Sequence, residues 1–293
     1  MPRRKDIWRC GIIDAPVDRV LSSGLSTAHV HWLPEEPRFH FLADPFPWRH
    51  AGQLHLFAEA YDYRRRHGTI DLLTLDAAFQ VVERRPCLAE PWHLSYPTVF
   101  EAEGAVWMLP EAHRSGGLHL YRLRSGPQDW VREVDIRLDA VPVDATPLYY
   151  EGRWWLFYSP ADRRETRMGH LHVAWADRIT GPWLPHPGNP VRIDRASSRP
   201  GGTAVLIGGR IMLPTQDCTA TYGGALRPLW IDRLDEAGFA ATAGQALDPP
   251  ASAGRYRDGF HTLSSGGGVT LIDVKHIDRS LAGLWLEVTR RFR

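Results

Sequence analysis

The sequence has few cysteines, no long hydrophobic run and almost no net charge. Its three cysteines, Cys10, Cys87 and Cys218, are far apart and form no CxxC pair, which predicts reduced thiols in a cytoplasmic protein. No stretch reaches the roughly 18 apolar residues of a membrane span, and the first residues lack the apolar core of a signal peptide, so we expect no integral membrane segment. A net charge of +1 argues against a nucleic-acid partner.

Motifs for common cofactors are also absent from the sequence. There is no GxGxxG, Walker loop or GxSxG element, and no HxxxH or HExxH spacing. His93, His113, His261 and His276 are scattered along the chain, so the sequence predicts no cofactor and no metal site. Carboxylates around a pore would leave room for a cation without specifying one.

Glycine, proline and aromatic residues are instead abundant, with 26 glycines, 23 prolines, 12 tryptophans and 9 tyrosines among 293 residues. This composition predicts many short strands joined by tight turns. One pattern recurs at intervals of 52, 48, 57 and 57 residues: a polar or turn residue, a strand, a glycine turn, a strand and a closing polar residue. Its five copies span residues 44–59, 96–111, 144–159, 201–216 and 258–273. This period is in the range of propeller blades.

Each copy predicts a β-hairpin, whose first and last residues lie at the same end because the strands are antiparallel. Segments between the copies, such as GTIDLLTLD and LHLYRLR, alternate apolar and polar residues as outer strands do. We therefore predict an all-β fold for residues 1–293: a single five-bladed β-propeller domain with four-stranded antiparallel blades around a central channel. The C-terminal LWLEVTRRF is expected to complete the fifth blade or to pair with an N-terminal strand around WRCGII, which would close the ring.

If each hairpin supplies the inner strands of one blade, its polar ends crowd around one mouth of the channel. These residues are Asp44, Glu59, Tyr96, Glu111, Asp144, Ser159, Gln216, Asp258 and Asp273. Each alone is typical of a strand end that bonds to nearby backbone. Several carboxylates around a narrow mouth repel one another and raise the pKa of at least one, which favours acid–base chemistry on a saccharide. Most tryptophans, such as Trp154 and Trp155, are expected in the blade core rather than against a sugar.

Ordered motifs run along almost the whole chain: ADPF with LFAE, HLSYP, LPEAH, DATP, RWWLFYS, SRPGG, and QDC followed by YGG. They resemble the propeller domain at the N-terminus of glucosamine inositolphosphorylceramide transferases and in related bacterial proteins. More distantly, the blade architecture and Asp44 are similar to the five-bladed glycoside hydrolases that contain arabinanases and β-xylosidases. The hydrolase resemblance implies Asp44 as general base, a second aspartate that tunes pKa, and a glutamate from a later blade as general acid.

The fourth hairpin departs from the hydrolase pattern. It begins SRPGG, with Arg199 where a Glu-Gly-Pro element would supply the acid, which argues against simple hydrolysis and leaves Glu111 as a substitute from its own blade. Together with Lys275 and His276, Arg199 would instead bind phosphate oxygens of a nucleotide-linked, phosphorylated or lipid-phosphate donor. Equally, Arg199 would neutralise the carboxylates of the mouth.

Three hypotheses follow from these residues. The first is an enzyme that transfers a glycosyl unit in glycan or glycolipid biosynthesis, with Asp44, Glu111 and Asp144 as the acid–base set and Arg199 as an anion clamp. The second is an inverting glycoside hydrolase with Asp44 as base, and the third is a non-catalytic glycan-binding or scaffolding propeller that serves a partner transferase. In each, the ligand is a saccharide or a phosphorylated sugar. The predicted binding residues are Glu59, His93, Tyr96, Ser159, Arg199, Gln216, Asp217, Tyr222, Asp258, Asp273, Lys275 and His276.

Overall fold

The computed structural model describes residues 4–283 and residue 286, and it is built almost entirely from short strands. The chain begins with β1 (Lys5–Ile13), helix α1 (Val17–Ser23), the 3₁₀ turn Leu25–Thr27 and β2 (His31–Trp32). Blade 1 contains β3 (His40–His50), β4 (Gln53–Asp62), β5 (His67–Leu75) and β6 (Val81–Leu88). Blade 2 contains β7 (Ser95–Ala102), β8 (Ala105–Glu111), the 3₁₀ turn His113–Ser115, β9 (Leu118–Leu123) and β10 (Trp130–Ile136).

The second half of the chain completes the set of five sheets. Blade 3 contains β11 (Pro142–Tyr150), β12 (Arg153–Pro160), helix α2 (Arg164–Gly169), β13 (His170–Ala176), β14 (Leu184–Pro185) and β15 (Arg192–Ile193). Blade 4 contains β16 (Arg199–Pro200), β17 (Val205–Ile207), β18 (Arg210–Asp217), β19 (Ala225–Leu234) and β20 (Phe239–Ala243). After the 3₁₀ turn Ala251–Ala253, β21 (Leu263–Gly266) and β22 (Val269–Asp278) join β1 and β2 in blade 5. None of the helices in these residues is long and apolar enough to cross a membrane.

The five antiparallel sheets form a ring, which confirms the predicted five-bladed β-propeller. At three boundaries the first strands of neighbouring blades pack together: β3 with β7, β11 with β16, and β21 with β3. Between blades 2 and 3, β11 packs against β8, and between blades 4 and 5 Gly202 bridges Leu263. The ring closes because N-terminal β1 pairs along its whole length with β22, with Trp8 opposite Lys275. The strand around WRCGII therefore closes the ring as predicted, but its partner is VTLIDVKHID; the segment LWLEVTRRF, apart from residue 286, lies outside the described residues.

Two blades depart from the predicted four strands. In blade 3 a short fifth strand, β15, pairs with β13. In blade 4 the first strand is divided into β16 and β17, because the chain leaves the ladder around Gly202 to bridge Leu263 of blade 5. Gly202 has a φ of +139°, and a Cβ there would lie 1.8 Å from the Leu263 carbonyl oxygen, so only glycine allows this contact between blades.

All five inner hairpins turn on two residues with positive φ, as the twist of antiparallel strands favours. The turns are Ala51–Gly52, Glu103–Gly104, Glu151–Gly152, Gly208–Gly209 and Gly267–Gly268. The predicted glycine turns therefore form in every blade, and their spacing sets which residues reach the mouth of the channel.

The apolar faces of the blades meet in five buried clusters, one at each boundary between neighbouring blades. Leu56 and Leu156 are fully buried in two of them, and truncating such a leucine to alanine costs about 2–5 kcal/mol. Trp154 and Trp155 are also buried there, which confirms their predicted place in the core.

Three first strands carry a bulge at the mouth of the channel. The pairing register shifts at Asp44 in β3, at Tyr96 in β7 and at Asp144 in β11, and these residues have φ values of +49°, +47° and +50°. A left-handed conformation costs a non-glycine residue about 1–2 kcal/mol, so the bonds that these residues make have to offset that cost. The bulges bring three polar side chains into the centre of the ring.

Candidate active site

A cleft of about 300 Å³ opens at the mouth of the channel, and all five blades contribute to its walls. Its floor is acidic, with Asp44, Glu59 and Glu111. Aromatic side chains form much of one wall: Trp8, Phe41, Tyr61, Tyr63 and Tyr222. The arginines that line it are Arg114, Arg167 and Arg199. A saccharide fits this combination, because aromatic faces pack against its C–H groups while carboxylates accept its hydroxyl hydrogens.

Asp44 connects blade 1 with blades 2 and 5. Its Oδ1 accepts a hydrogen bond from Thr262 Oγ1 at 2.7 Å, and its Oδ2 accepts one from the Tyr96 backbone N–H at 3.2 Å. The Asp44 N–H in turn donates to Asp273 Oδ2 at 3.0 Å. Burial raises the pKa of Asp44 to about 6, although the neighbouring His261 lowers it. At neutral pH this carboxylate is charged but basic, which suits a general base.

His261 lies between two of these carboxylates and was not among the predicted site residues. Its Nδ1 is 2.7 Å from Asp273 Oδ2, its Nε2 is 3.6 Å from Asp44 Oδ1, and its ring stacks on Trp8 with 3.6 Å between centroids. Burial lowers the pKa of His261, but Asp273 and Asp44 outweigh it, so the pKa is raised and the protonated imidazole is favoured. Gly223 of the loop after β18 lies against both rings and leaves no room for a side chain.

Asp44, His261 and Asp273 form the one group in the described part of the chain that could hold a metal ion. Their ligand atoms lie within 4.8 Å of one another. The imidazole already neutralises part of the carboxylate charge, and Asp273 Oδ1 also accepts hydrogen bonds from the backbone N–H groups of His261 and Thr262. Because internal donors occupy these oxygens, we assign no metal ligands to the group.

Asp144 and Arg199 form a buried ion pair. Asp144 Oδ2 accepts hydrogen bonds from Arg199 Nε at 2.7 Å and from Gln216 Nε2 at 2.8 Å. Burial raises the pKa of Asp144, and the Arg199 charge opposes that rise. The Arg199 guanidinium also lies 4.9 Å from the Tyr222 ring centroid and lines the cleft. Arg199 thus neutralises a carboxylate, one of its two predicted roles, and any ligand anion would share it with Asp144.

Glu111 is held in its charged form by His113. Its Oε1 accepts hydrogen bonds from the His113 backbone N–H at 2.8 Å and from His113 Nδ1 at 2.7 Å, and Ser95 Oγ donates to Oε2 at 3.3 Å. Burial would raise the pKa of Glu111, but the hydrogen bond and charge of His113 lower it to about 2. A carboxylate with this pKa carries no proton at neutral pH, which argues against Glu111 as the general acid.

Glu59 differs from the other carboxylates of the cleft, because its side chain makes no hydrogen bond within residues 4–283 and 286. The one basic group within 4 Å of its carboxyl oxygens in these residues is His93, with Nε2 3.6 Å from Glu59 Oε1. Burial raises the pKa of Glu59 well above its usual value, and the charges of Asp44 and Glu111 add to the rise. Burial also lowers the pKa of His93 to about 4. These shifts favour the protonated acid form of Glu59 beside an uncharged imidazole.

Tyr96 lies beneath the cleft rather than in its wall. Its hydroxyl donates to the Gly202 carbonyl at 2.9 Å, accepts from the Gly202 N–H and lies 2.9 Å from Thr146 Oγ1. Because Tyr96 belongs to blade 2 and Gly202 to blade 4, these bonds cross the channel and link blades that are not neighbours. Tyr96 is fully buried and closes the channel below the carboxylates.

Two predicted binding residues bond to other parts of the chain and do not line the cleft. Ser159 Oγ donates to the His170 carbonyl at 2.7 Å, so it joins β12 to β13. Asp217 accepts hydrogen bonds from Arg227 Nε at 3.0 Å and from the Thr219 backbone N–H at 3.0 Å. Both residues form their hydrogen bonds within one blade, as expected if a polar residue at a strand end bonds to neighbouring groups rather than to a ligand.

The fifth hairpin has a different register from the predicted one. Glu59, Glu111, Ser159 and Gln216 each stand seven residues after the second turn residue, and by that count the equivalent residue is Lys275, which bridges Gly259. Asp273 therefore lies two residues deeper in the channel, and Asp258 precedes the hairpin.

The structure accordingly places three more of the predicted residues away from the cleft, in addition to Ser159 and Asp217. Asp258 is exposed and accepts a hydrogen bond from the Ile277 N–H. His276 lines a separate cleft with Arg38, Tyr256 and other residues of the outer surface. Lys275 is buried behind Trp8, where its ammonium group donates to the Tyr222 carbonyl.

Several cleft residues were not predicted from the sequence as binding residues. Trp8 comes from the strand that closes the ring, His113 and Arg114 follow β8 in a 3₁₀ turn, and Arg167 comes from helix α2, which follows β12. The position of the turn could have identified His261 from the sequence. When the five hairpins are aligned on their turn residues rather than on their polar ends, the segment that contains His261 falls at the mouth of the channel. The Arg114 and Arg167 segments directly follow predicted closing strands, so they had to pass the same mouth.

Comparison with known proteins extends over most of the chain. Residues 33–247 match the family model described as glucosamine inositolphosphorylceramide transferase 1, N-terminal. The chain is 31% identical over 245 residues to glucosamine inositolphosphorylceramide transferase 1 of Oryza sativa subsp. indica, covering 80% of this chain and 33% of the relative. It is 34% identical over 200 residues to the protein of that name from Arabidopsis thaliana, covering 67% of this chain and 26% of the relative. The chain thus spans about a third or less of these relatives' length.

Similar solved structures share the fold at low sequence identity. An α-L-arabinofuranosidase from Lactobacillus brevis has a TM-score of 0.57 at 14% identity, with 84% of this chain and 86% of that chain covered. The catalytic domain of the Coprinopsis cinerea GH62 α-L-arabinofuranosidase has a TM-score of 0.55 at 14% identity, with 83% and 93% covered. The propeller of this chain is therefore built like that of glycoside hydrolases.

Proposed function

Because the chain belongs to the glucosamine inositolphosphorylceramide transferase 1 N-terminal family, we propose that its cleft binds a phosphate-bearing saccharide and transfers a glycosyl unit in glycan or glycolipid biosynthesis. The relatives are named after glucosamine, an amino sugar, and inositolphosphorylceramide, in which a polyol carries a phosphate group. A saccharide with a phosphate group is the substrate class that this name and the cleft have in common.

The observation that carries the proposal is an acidic floor beneath an arginine-lined wall. The Arg167 guanidinium makes no hydrogen bond or ion pair within the residues that the structure describes, although it lines the cleft beside Arg199. Arg114, at the rim, donates only to the Arg66 carbonyl at 3.2 Å. A free guanidinium group such as that of Arg167 binds phosphate oxygens with two charge-assisted hydrogen bonds, which are stronger than its bonds to the uncharged hydroxyl oxygens of a neutral sugar. The acids of the floor then face the sugar part of the ligand.

The acid–base groups required for transfer stand on the same floor. Asp44, with a pKa of about 6, is suited to take a proton from an attacking hydroxyl group. A hydroxyl of an acceptor and a water molecule would reach this base equally, so transfer and hydrolysis differ in what occupies the cleft. An acceptor saccharide on the aromatic wall would exclude water and favour transfer.

A non-catalytic saccharide-binding propeller that works with a partner transferase is the second candidate. The observation that favours it is length, since this chain corresponds to about a third of the rice protein named as a transferase. In the first candidate Asp44→Asn abolishes turnover and preserves binding, whereas in the second no donor is consumed by the propeller itself.

We also propose a cytoplasmic setting. Cys10, Cys87 and Cys218 are free thiols, and two of them are buried. Free thiols persist in reducing compartments, so cell fractionation with an antibody against the chain would test the setting directly.

The experiment is a calorimetric and mass-spectrometric screen of the purified full chain. The probes are free sugars, inositol phosphates, sugar phosphates and nucleotide sugars, each phosphorylated compound paired with its unphosphorylated form. We expect Arg167→Ala to weaken binding of the phosphorylated probe about tenfold and to leave its unphosphorylated form unaffected. Arg164→Ala is the matched control, because Arg164 lies on the same helix, is exposed and does not line the cleft. Equal binding of both forms would refute the phosphate requirement.

A further inference from the structure

Glu59 occupies a different position in the cleft from the other acids. It stands on β4 opposite Ala43, one strand away from Asp44, and lines the cleft while remaining only 6% exposed. No donor of the described chain occupies its carboxyl oxygens. Asp44, Asp144 and Glu111 are instead each held by at least two hydrogen bonds from neighbouring groups. A carboxyl group without such partners has its oxygens available to a ligand.

The side chain beside Glu59 is held in one orientation. His93 Nδ1 accepts a hydrogen bond from the Gly68 backbone N–H at 2.9 Å, and the Gly68 carbonyl accepts one from the Leu94 N–H at 3.0 Å. Because Nδ1 is an acceptor, the proton of the neutral imidazole is on Nε2, which points to Glu59 at 3.6 Å. The ring also contacts the edge of Tyr61, with 5.6 Å between centroids.

From this arrangement we propose that Glu59 is the proton donor of the cleft and that His93 is its positioning residue. The proposal rests on the proposed function and adds a substrate class to it: the donor is an O-glycoside whose leaving group is an alcohol. An alcohol leaves as a costly alkoxide unless it is protonated, whereas a phosphate leaves without that help. The phosphate of the ligand therefore belongs to a part that Arg167 holds, and it is not the leaving group.

The step balances with groups that the cleft supplies. The bond between the anomeric carbon and the glycosidic oxygen breaks, its electron pair goes to that oxygen, and the Glu59 proton is transferred to it. A hydroxyl of the acceptor attacks the anomeric carbon and gives its proton to Asp44. Glu59 ends as a carboxylate facing the Nε2–H of His93, which can donate to it.

The surroundings of Glu59 explain why it can hold a proton. The acids that act on it are Asp44 on β3, Glu111 on β8, Asp144 on β11 and Asp273 on β22, and all of them oppose its ionisation. His93 is the basic group nearest to Glu59, and burial keeps it uncharged at neutral pH. Glu59 is thus surrounded by groups that favour its acid form, as a donor at neutral pH requires.

The test uses Glu59→Gln in the full chain, with alkyl glycosides and the 2,4-dinitrophenyl glycosides of the same sugars as probes. We expect turnover of the alkyl glycosides to fall at least a hundredfold, while turnover of the dinitrophenyl glycosides, whose leaving group needs no proton, changes less than fivefold. Infrared difference spectra between wild type and variant at pH 7 should show the carbonyl band of a protonated carboxylic acid. Absence of that band, or equal loss with both leaving groups, overturns Glu59 as donor and leaves the proposed transfer standing.

The positioning role of His93 is tested by the pH dependence of the rate, which a merely structural role would not change. His93→Gln keeps an N–H donor near Glu59, whereas His93→Phe removes it. We expect His93→Phe to shift the alkaline limb of the pH–rate profile and His93→Gln to restore it largely. If the pH–rate profile of His93→Phe is the same as that of wild type, His93 is not the positioning residue of Glu59. Wild type that consumes a nucleotide sugar or a sugar phosphate but no O-glycoside overturns the donor and leaves the proposed transfer standing, whereas wild type that binds saccharides and consumes none of these probes overturns both.

Discussion

Arg199 and Asp144 form an ion pair across the boundary between blades 4 and 3, with 2.7 Å between Arg199 Nε and Asp144 Oδ2 and both side chains at most 5% exposed. An intact ion pair at this depth stabilises the fold little more than an apolar contact would. Removal of one partner is costly, however, because it leaves an uncompensated buried charge. The pair therefore links two blades under the cleft and makes the stability of the ring depend on Arg199.

We expect Arg199→Ala to lower the free energy of unfolding by about 3–5 kcal/mol, because Asp144 keeps only Gln216 as a partner. Urea unfolding at pH 7 measures the change. Arg164→Ala, which removes an exposed arginine without a partner in the described chain, should change stability by about 0.5 kcal/mol or less. A similar small loss in Arg199→Ala would show that the pair contributes little to the ring.

Tyr96→Phe should destabilise the propeller without changing the cleft. The substitution removes only the hydroxyl, which leaves the buried Gly202 N–H without its partner and the Gly202 carbonyl with only the longer bond from Thr146 Oγ1 at 3.4 Å. Leaving a buried polar group unsatisfied costs about 1–3 kcal/mol, so we expect a loss of that size in urea unfolding. Tyr149→Phe is the control, since Tyr149 is 55% exposed. A loss no larger than that of the control would contradict a structural role for the crossing bonds.

The sequence could predict the ring because each hairpin carries its own local signal. Pairs such as Glu103–Gly104 and Gly208–Gly209 require positive φ, and that requirement can be read from glycine alone. The family resemblance rested on separate motifs such as ADPF and SRPGG. Closure of the ring by the strand around WRCGII was one of two expected arrangements, and its partner is β22 rather than the predicted C-terminal segment. The ring itself was confirmed in all five blades.

The partners of the site residues could not be predicted in this way. Asp44 and Asp144 take left-handed conformations in bulges, and nothing in their neighbouring residues requires it. Their hydrogen bonds come from other blades, over separations of 218 residues for Thr262 with Asp44 and 55 for Arg199 with Asp144. Proton states that depend on such distant neighbours become visible only when the ring is closed.

His113→Ala should lower the free energy of unfolding at neutral pH and raise the pH at which the protein unfolds in acid. The pKa of Glu111 is lowered from 4.5 to about 2, so its carboxylate contributes stability above its unfolded pKa that is lost as pH falls towards 2. At 1.36 kcal/mol per unit this amounts to about 3 kcal/mol, of which we expect His113→Ala to remove about half. His113→Asn keeps a donor near Nδ1 and should retain most of it. Acid unfolding at the same pH in all three proteins would contradict this account.

Asp44→Asn should stabilise the fold at neutral pH while it abolishes turnover. The pKa of Asp44 is raised from 3.8 to about 6, so between these values the folded protein binds a proton that the unfolded chain releases. Stability therefore falls as pH rises through this window, by up to about 3 kcal/mol above pH 6. The amide resembles the protonated acid and escapes that loss, although it no longer balances the His261 charge, which reduces the gain.

The measurement is urea unfolding of wild type and Asp44→Asn from pH 4 to pH 8. We expect the variant to gain about 1–2 kcal/mol over wild type at pH 8, with the difference vanishing near pH 4. Asp177→Asn is the control, because Asp177 is exposed, lies outside the cleft and makes no hydrogen bond or ion pair within the described residues, and its curve should follow wild type at every pH. A variant less stable than wild type at pH 8 would mean that the ionised Asp44 stabilises the ring through His261. In that case Asp44 would be an acid of ordinary strength and a weak base, and the role of general base would have to belong to another carboxylate of the cleft.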